Sequence, residues 1–162
     1  MSRFQVAVRV GLVFVFAVAV EPARADVRCR VVGVHDGDSL TCLVEQAKMV
    51  KVRLSEIDAP ELGQAFGRAA KKALSDACFG ADAGLNVVTQ DRYGRTVARV
   101  SCDGVDVNAR MVSDGMAWVY DRYATDPALY GLQDAARSEG RGLWSEMDRV
   151  PPWQWRKRRR GR

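Results

Sequence analysis

Between Val52 and Glu61 the chain reads VRLSEIDAPE, which brings one arginine and three carboxylates into ten residues. A guanidinium such as that of Arg53 offers two parallel donors to a phosphate, and carboxylates such as Asp58 and Glu61 offer the hard oxygens that divalent cations prefer. A second acidic pair, Asp36 and Asp38, brackets Gly37. Together these groups suit the binding of a phosphate ester and a hard cation while a water is activated. Each piece alone also has an ordinary reading, as a surface ion pair or an acidic turn. A zinc centre is excluded, because His35 is the only histidine and Cys29, Cys42, Cys78 and Cys102 contain no CxxC pair.

The local pattern explains how Arg53 and Asp58 can meet. Val50, Val52 and Leu54 alternate with Lys51, Arg53 and Ser55, the period of a half-buried strand. The next large apolar residue is Ile57, not position 56, and this slip in phase predicts a bulge near Ser55 and Glu56. In a regular strand Arg53 and Asp58 point to opposite sides; the slip turns them onto one face. Pro60 cannot donate to a ladder and restricts Ala59, so the strand ends there with Glu61 beyond a rigid corner.

The remaining elements supply a frame. VVGVH and SLTCLV flank Asp36-Gly37, a dipeptide that favours a two-residue hairpin loop. That loop sets His35 opposite Asp38 and Val31 opposite Cys42, with Cys29 diagonal to Cys42 at a distance compatible with a bridge. Gly67 to Ala77 reads as a helix with an apolar stripe of Ala69, Ala70, Ala73, Leu74 and Ala77. Strands are expected from Leu85 to Thr89, Arg95 to Cys102 and Val105 to Val107, then a short helix up to Gly115 and a mixed, extended stretch from Met116 to Tyr123. Asp126-Pro127 opens a last helix that Gly140 ends. Trp118 and Tyr120 alternate with Ala117 and Val119 and read as core packing rather than a stacking platform, and His35 is assigned no role. Five strands with interspersed helices predict an α+β domain: a five-stranded antiparallel barrel of the oligonucleotide-binding type with about three packed helices.

The 162 residues suit one domain, residues 26–150, followed by a Pro/Trp segment and basic tail, residues 151–162. Residues 1–25 read as an export signal: Arg3 and Arg9, an apolar run from Val10 to Val20, and Ala23-Arg24-Ala25 before Asp26. The run is too short to span a bilayer, where about 20 residues are needed. The expected location is therefore periplasmic or secreted, with no stable membrane association after signal cleavage. The formal charge of +5 is misleading, because six cations lie between Arg156 and Arg162. The body from Asp26 to Trp155 holds 16 basic and 19 acidic residues, so composition alone does not make it a nucleic-acid binder. The tail has too little apolar content to fold alone and reads as a disordered cationic arm that contacts phosphates. Oxidising surroundings favour disulfides, and arithmetic alone leaves three pairings of the four cysteines open.

In this order the pieces resemble the thermonuclease, or staphylococcal-nuclease-like, family. The matches are DGDS at Asp36 to Ser39, RLSEIDAPE at Arg53 to Glu61, DRYGR at Asp91 to Arg95, DGVDVN at Asp103 to Asn108, GMAWVY at Gly115 to Tyr120 and GLWSE at Gly142 to Glu146. Each is weak singly, and the ordered set is specific. The resemblance implies calcium ligands at Asp38, Asp58 and the backbone carbonyl of Ala59, where the family usually has threonine. It implies phosphate-binding arginines at Arg53 and Arg95, a general base at Glu61, and a substrate contact from Tyr123; Tyr93 is a further candidate for substrate contact from its place beside Arg95, although a hairpin aromatic more often packs. It further implies a calcium-dependent nuclease, a phosphodiester hydrolase acting as a monomer on DNA and RNA and leaving 3′-phosphate ends. The alternative is a nuclease-like module that binds nucleic acid without catalysis, yet a scaffold has no chemical need for Asp38, Arg53, Asp58, Glu61 and Arg95 together. Two features depart from the family: LGQAFGR replaces a longer lysine-rich loop, and Asp121 stands where a pocket tyrosine is usual. The resemblance places Cys78 and Cys102 together, and the hairpin geometry leaves Cys29–Cys42 as the second expected bridge.

Overall fold

The computed structural model describes residues 27–161, so the expected export signal lies outside the described residues. The strands and helices follow in the order β1 (Val27–Val34), β2 (Ser39–Leu43), β3 (Met49–Leu54), β4 (Ile57–Asp58), α1 (Gly67–Cys78), β5 (Asp82–Gln90), β6 (Thr96–Cys102), β7 (Val105–Asp106), α2 (Val107–Ser113), β8 (Trp118–Val119), α3 (Ala128–Ser138) and α4 (Pro152–Arg160).

The sheet runs β3-β2-β1-β5-β6 and closes on itself through β3 and β6, with β7 extending β6. This is the expected α+β barrel with one correction, since β3 and β6 pair in parallel, with Val52 opposite Thr96 and Leu54 opposite Ala98. The reason is one of parity. Strand direction cannot alternate around a ring of five, so four antiparallel pairings force the fifth to be parallel.

The hairpin turns differently from the sequence expectation. The His35 N–H donates to the Ser39 carbonyl at 2.9 Å, so the loop is Asp36–Asp38 and His35 does not face Asp38. Val34 pairs with Leu40 and Gly33 with Thr41, but Val31 pairs with Cys42. The extra residue, Val32, is a bulge that restores the expected register at Val31. Cys29–Cys42 and Cys78–Cys102 are both bridged, with Cα separations of 5.5 and 5.4 Å.

The barrel interior is filled by Val31, Leu40, Val52, Leu54, Leu85 and Val100, and α1 adds Ala70 and Leu74. Ala69, expected on that stripe, is exposed, and Cys78 takes the buried position at the helix end. A second cluster of Trp118, Ala136, Leu143 and Trp144 lies outside the barrel, with Phe66 and Trp153 packed against it. Trp118 is thus a packing residue, and the extended stretch 116–123 shrinks to the two residues of β8.

The tail corrects the expectation most. Arg156–Arg160 are helical, forming a fourth helix, α4, which starts with proline in its first turn. Trp153 stacks on Tyr120 with centroids 5.1 Å apart and meets Trp118 edge-on at 6.0 Å. These aromatic contacts supply the burial that a run of cations lacks. Among the described residues no helix is long and apolar enough to cross a membrane.

Candidate active site

The bulge expected near Ser55 and Glu56 is a sharp break between β3 and β4, with Glu56 at a φ of 63°. A non-glycine residue in that region needs outside support. Glu56 receives it from Thr125 N–H, Thr125 Oγ1 and Asp126 N–H at 2.8, 2.8 and 2.9 Å, and from Arg99 at 3.1 Å. Burial raises the Glu56 pKa, but these donors outweigh it and hold the carboxyl below its ordinary value. Asn108, fully buried, ties the break to β6: its Nδ2 donates to the Ser55 carbonyl at 2.7 Å and its Oδ1 accepts from the Val100 N–H at 3.0 Å.

The hairpin loop is held against the same corner. Asp36 Oδ1 accepts from the Asp38 N–H at 3.0 Å and from Ser39 Oγ at 2.7 Å, and the Leu54 N–H donates to the Asp38 carbonyl at 2.9 Å. Only glycine fits between them at position 37, because a Cβ there would lie 2.6 Å from the Cβ atoms of Ala59 and Ala70. Likewise a Cβ at Gly67 would strike the Glu61 carbonyl oxygen at 1.9 Å, so the start of α1 sits directly on the backbone of Glu61.

These supports bring Arg53, Asp38 and Asp58 together. Arg53 Nη2 lies 3.1 Å from Asp38 Oδ2 and 2.9 Å from Asp58 Oδ1, and Nη1 donates to the Leu54 carbonyl at 2.9 Å. The slip in phase therefore does what the sequence required of it. The Asp38 and Asp58 side chains are only 8% and 1% exposed. Burial pushes Asp38 up to about 8 against the pull of Arg53, with the nearby charges of Asp36 and Asp58 adding to the rise.

A further residue, unexpected from the sequence, completes the cluster. Arg156 of α4 places Nη2 2.7 Å from Asp58 Oδ2 and Nη1 3.1 Å from Asp58 Oδ1 and 2.8 Å from Glu61 Oε1. Two carboxylates thus draw in a cation that sequence reasoning had left in solvent. The pairing spans 98 residues of chain, and no local periodicity signals it.

The other expected residues lie at the margins. Arg95 is held by Asp91, Nε to Oδ2 at 2.8 Å, in the turn between β5 and β6, and among the described residues it makes no hydrogen bond to the cluster. Tyr93 is 66% exposed beneath the guanidinium groups of Arg92 and Arg95. Tyr123 is 59% exposed and meets Tyr120 edge-on at 5.1 Å. At Ala59 the visible contact is its N–H, which donates to Asp38 Oδ2 at 2.7 Å. Asp121, in place of a tyrosine, accepts from Tyr130 Oη at 3.1 Å.

The donor set suits a hard cation in kind. Two carboxylates converge on one nitrogen, and Asp38 Oδ1 accepts no hydrogen bond among the described residues. Among those residues no three acidic, histidine or cysteine side chains form a ready metal cage. A cation at Asp38 and Asp58 would therefore depend on backbone and water oxygens as well, which calcium accepts readily.

Residues 51–146 match the family model described as staphylococcal nuclease homologue. A protein of Haemophilus influenzae named uncharacterized endonuclease is 44% identical over 147 residues, covering 91% of this chain and 83% of that one. One of Escherichia coli O157:H7 with the same name is 45% identical, covering 83% and 88%. A micrococcal nuclease of Shigella flexneri is 40% identical, covering 84% of each chain. With its mixed five-stranded barrel and this site, the chain belongs to the staphylococcal nuclease homologue family and is a phosphodiester hydrolase.

Proposed function

We propose that this nuclease depends on calcium, cleaves both DNA and RNA, and leaves 3′-phosphate ends. The observation that carries the reading is the Arg53 guanidinium bridging Asp38 and Asp58 at 3.1 and 2.9 Å beside Glu61, at a rim only partly open to water. Asp38, Asp58 and the Ala59 carbonyl would hold the cation. When bound, that ion supplies positive charge to the phosphate oxygens. Arg53 and Arg95 would donate to the same oxygens, where negative charge accumulates during displacement. For Arg95 this means exchanging Asp91 for substrate. Glu61, whose side chain is 36% exposed, is open enough to orient and deprotonate a water. Water adds to phosphorus, the P–O5′ bond breaks, and the proton taken by Glu61 balances the one delivered to the departing 5′-oxygen.

Recognition through phosphate and cation asks nothing of the bases, which supports action on both nucleic acids. Tyr93 and Tyr123 are exposed aromatic side chains, each beside arginine, that nucleotides would contact. Two disulfides support a periplasmic or secreted location, and we read the protein as a monomer without stable membrane association. The deciding experiment incubates purified protein with plasmid DNA and with RNA, in calcium or in chelator, and determines the product ends. Cleavage of both with calcium, none after chelation, and 3′-phosphate ends is the expected result. Undiminished cleavage after exhaustive chelation refutes the metal role, and 5′-phosphate ends refute the bond assignment.

A further inference from the structure

We propose that Arg156 is an intramolecular competitor for the cation at Asp58, so that docking of α4 sets the cation affinity of the site; this rests on the calcium reading above. Both Asp58 oxygens are committed, Oδ1 to Arg53 and Arg156 and Oδ2 to Arg156 at 2.7 Å. With its side chain 1% exposed, Asp58 has no other open approach. A divalent ion that coordinates Oδ2 must take the place of Arg156 Nη2, the donor seated on that oxygen at 2.7 Å, so it displaces the guanidinium. Arg156 also holds Glu61 at 2.8 Å, so one side chain occupies both the expected ligand and the expected base.

The anchoring of α4 allows this exchange. Pro152 is buried, Trp153 packs on Tyr120 and Trp118, and the Trp155 ring lies 3.7 Å from where a Cβ at Gly63 would stand. From Lys157 to Arg160 every residue is exposed. Arg156 is therefore the last anchored residue, 33% exposed, and can leave without disturbing the barrel. Two forces oppose each other at this residue. The paired carboxylates draw Arg156 in, while its four cationic neighbours repel it and would be drawn outward by a phosphate polyanion. Cation and nucleic acid thus release the same lock from two sides.

The test titrates calcium chloride alone into the protein by calorimetry, comparing wild type with Arg156→Gln and Arg159→Gln. Arg159 lies over the Trp155 ring at 4.9 Å and pairs with no carboxylate among the described residues, so its loss controls for net charge. If Arg156 occupies the site nine times in ten, its removal tightens calcium binding about tenfold, because the competent fraction rises to one. Arg159→Gln should stay close to wild type. In wild type, calcium should also speed hydrogen exchange across 152–160. Calcium binding by Arg156→Gln no tighter than by Arg159→Gln overturns the competition while leaving calcium-dependent cleavage intact. Weaker binding by Arg156→Gln overturns it too and makes Arg156 a support of the site. No calcium binding by any of the three overturns both this proposal and the calcium reading.

Discussion

Replacing Arg53 by lysine separates geometry from charge at the centre of the site. The guanidinium makes three contacts: Nη2 to Asp38 at 3.1 Å and to Asp58 at 2.9 Å, and Nη1 to the Leu54 carbonyl at 2.9 Å. An ammonium keeps the charge but cannot present two parallel donors to a phosphate or span these partners. Losing the bond to Leu54 costs about 1 kcal/mol of stability. The larger stability loss of an uncompensated buried carboxylate is avoided, because Asp58 keeps Arg156 as a counterion. Catalysis has no such substitute. Removal of one preorganised donor typically costs about 100- to 1,000-fold in rate, or roughly 2.7–4 kcal/mol of transition-state stabilisation. Single-turnover cleavage of end-labelled DNA at saturating protein, alongside urea unfolding, measures the two quantities separately. Cleavage within a few-fold of wild type would remove Arg53 from the reaction. Loss of rate matched by loss of fold would make its role structural.

Asn108→Ala leaves the buried Val100 N–H without its partner, at roughly 1–3 kcal/mol, and removes one of two donors from the Ser55 carbonyl, which keeps the Ile57 N–H, at about 1 kcal/mol, so urea unfolding should show a loss of about 2–4 kcal/mol. Glu56→Gln tests a stability that depends on pH. The Glu56 pKa is depressed in the fold, so its contribution is present above the ordinary value of 4.5 and is lost as pH falls through the folded value. The stability gap between Glu56→Gln and wild type should be wide at neutral pH and should narrow below pH 4.5; a gap constant with pH would contradict the assignment. Replacing Lys157, Arg158, Arg159 and Arg160 by glutamine should weaken DNA binding at low salt and flatten its log–log salt slope by up to about 0.9 per lost phosphate contact. Cleavage at saturating substrate should stay within a few-fold of wild type, and abolished turnover would place this end of α4 in the reaction itself.

Sequence alone determined those features whose cause is local. The slip at Glu56 is a matter of period along one strand, so the convergence of Arg53 and Asp58 was legible from ten residues. The Val31–Cys42 pairing and its neighbouring disulfide followed from a hairpin, although a three-residue loop and a bulge at Val32 compensated for each other to produce it. Asn108 stood in the sequence only as the last residue of a family motif, with no role, because one of its partners, Val100, lies on β6 and the other, Ser55, 53 residues away at the break after β3. Tertiary structure decided what depends on closure. Four antiparallel pairings around a ring of five strands impose the parallel contact of β3 with β6, and no single strand's pattern carries that constraint. Arg156 reads in sequence as one solvated cation among six, since composition counts charges without placing their counterions. Only the fold brings Asp58 and Glu61 within 3 Å of it, and there the attraction of two carboxylates outweighs the repulsion of its neighbours and seats the end of the chain in the site.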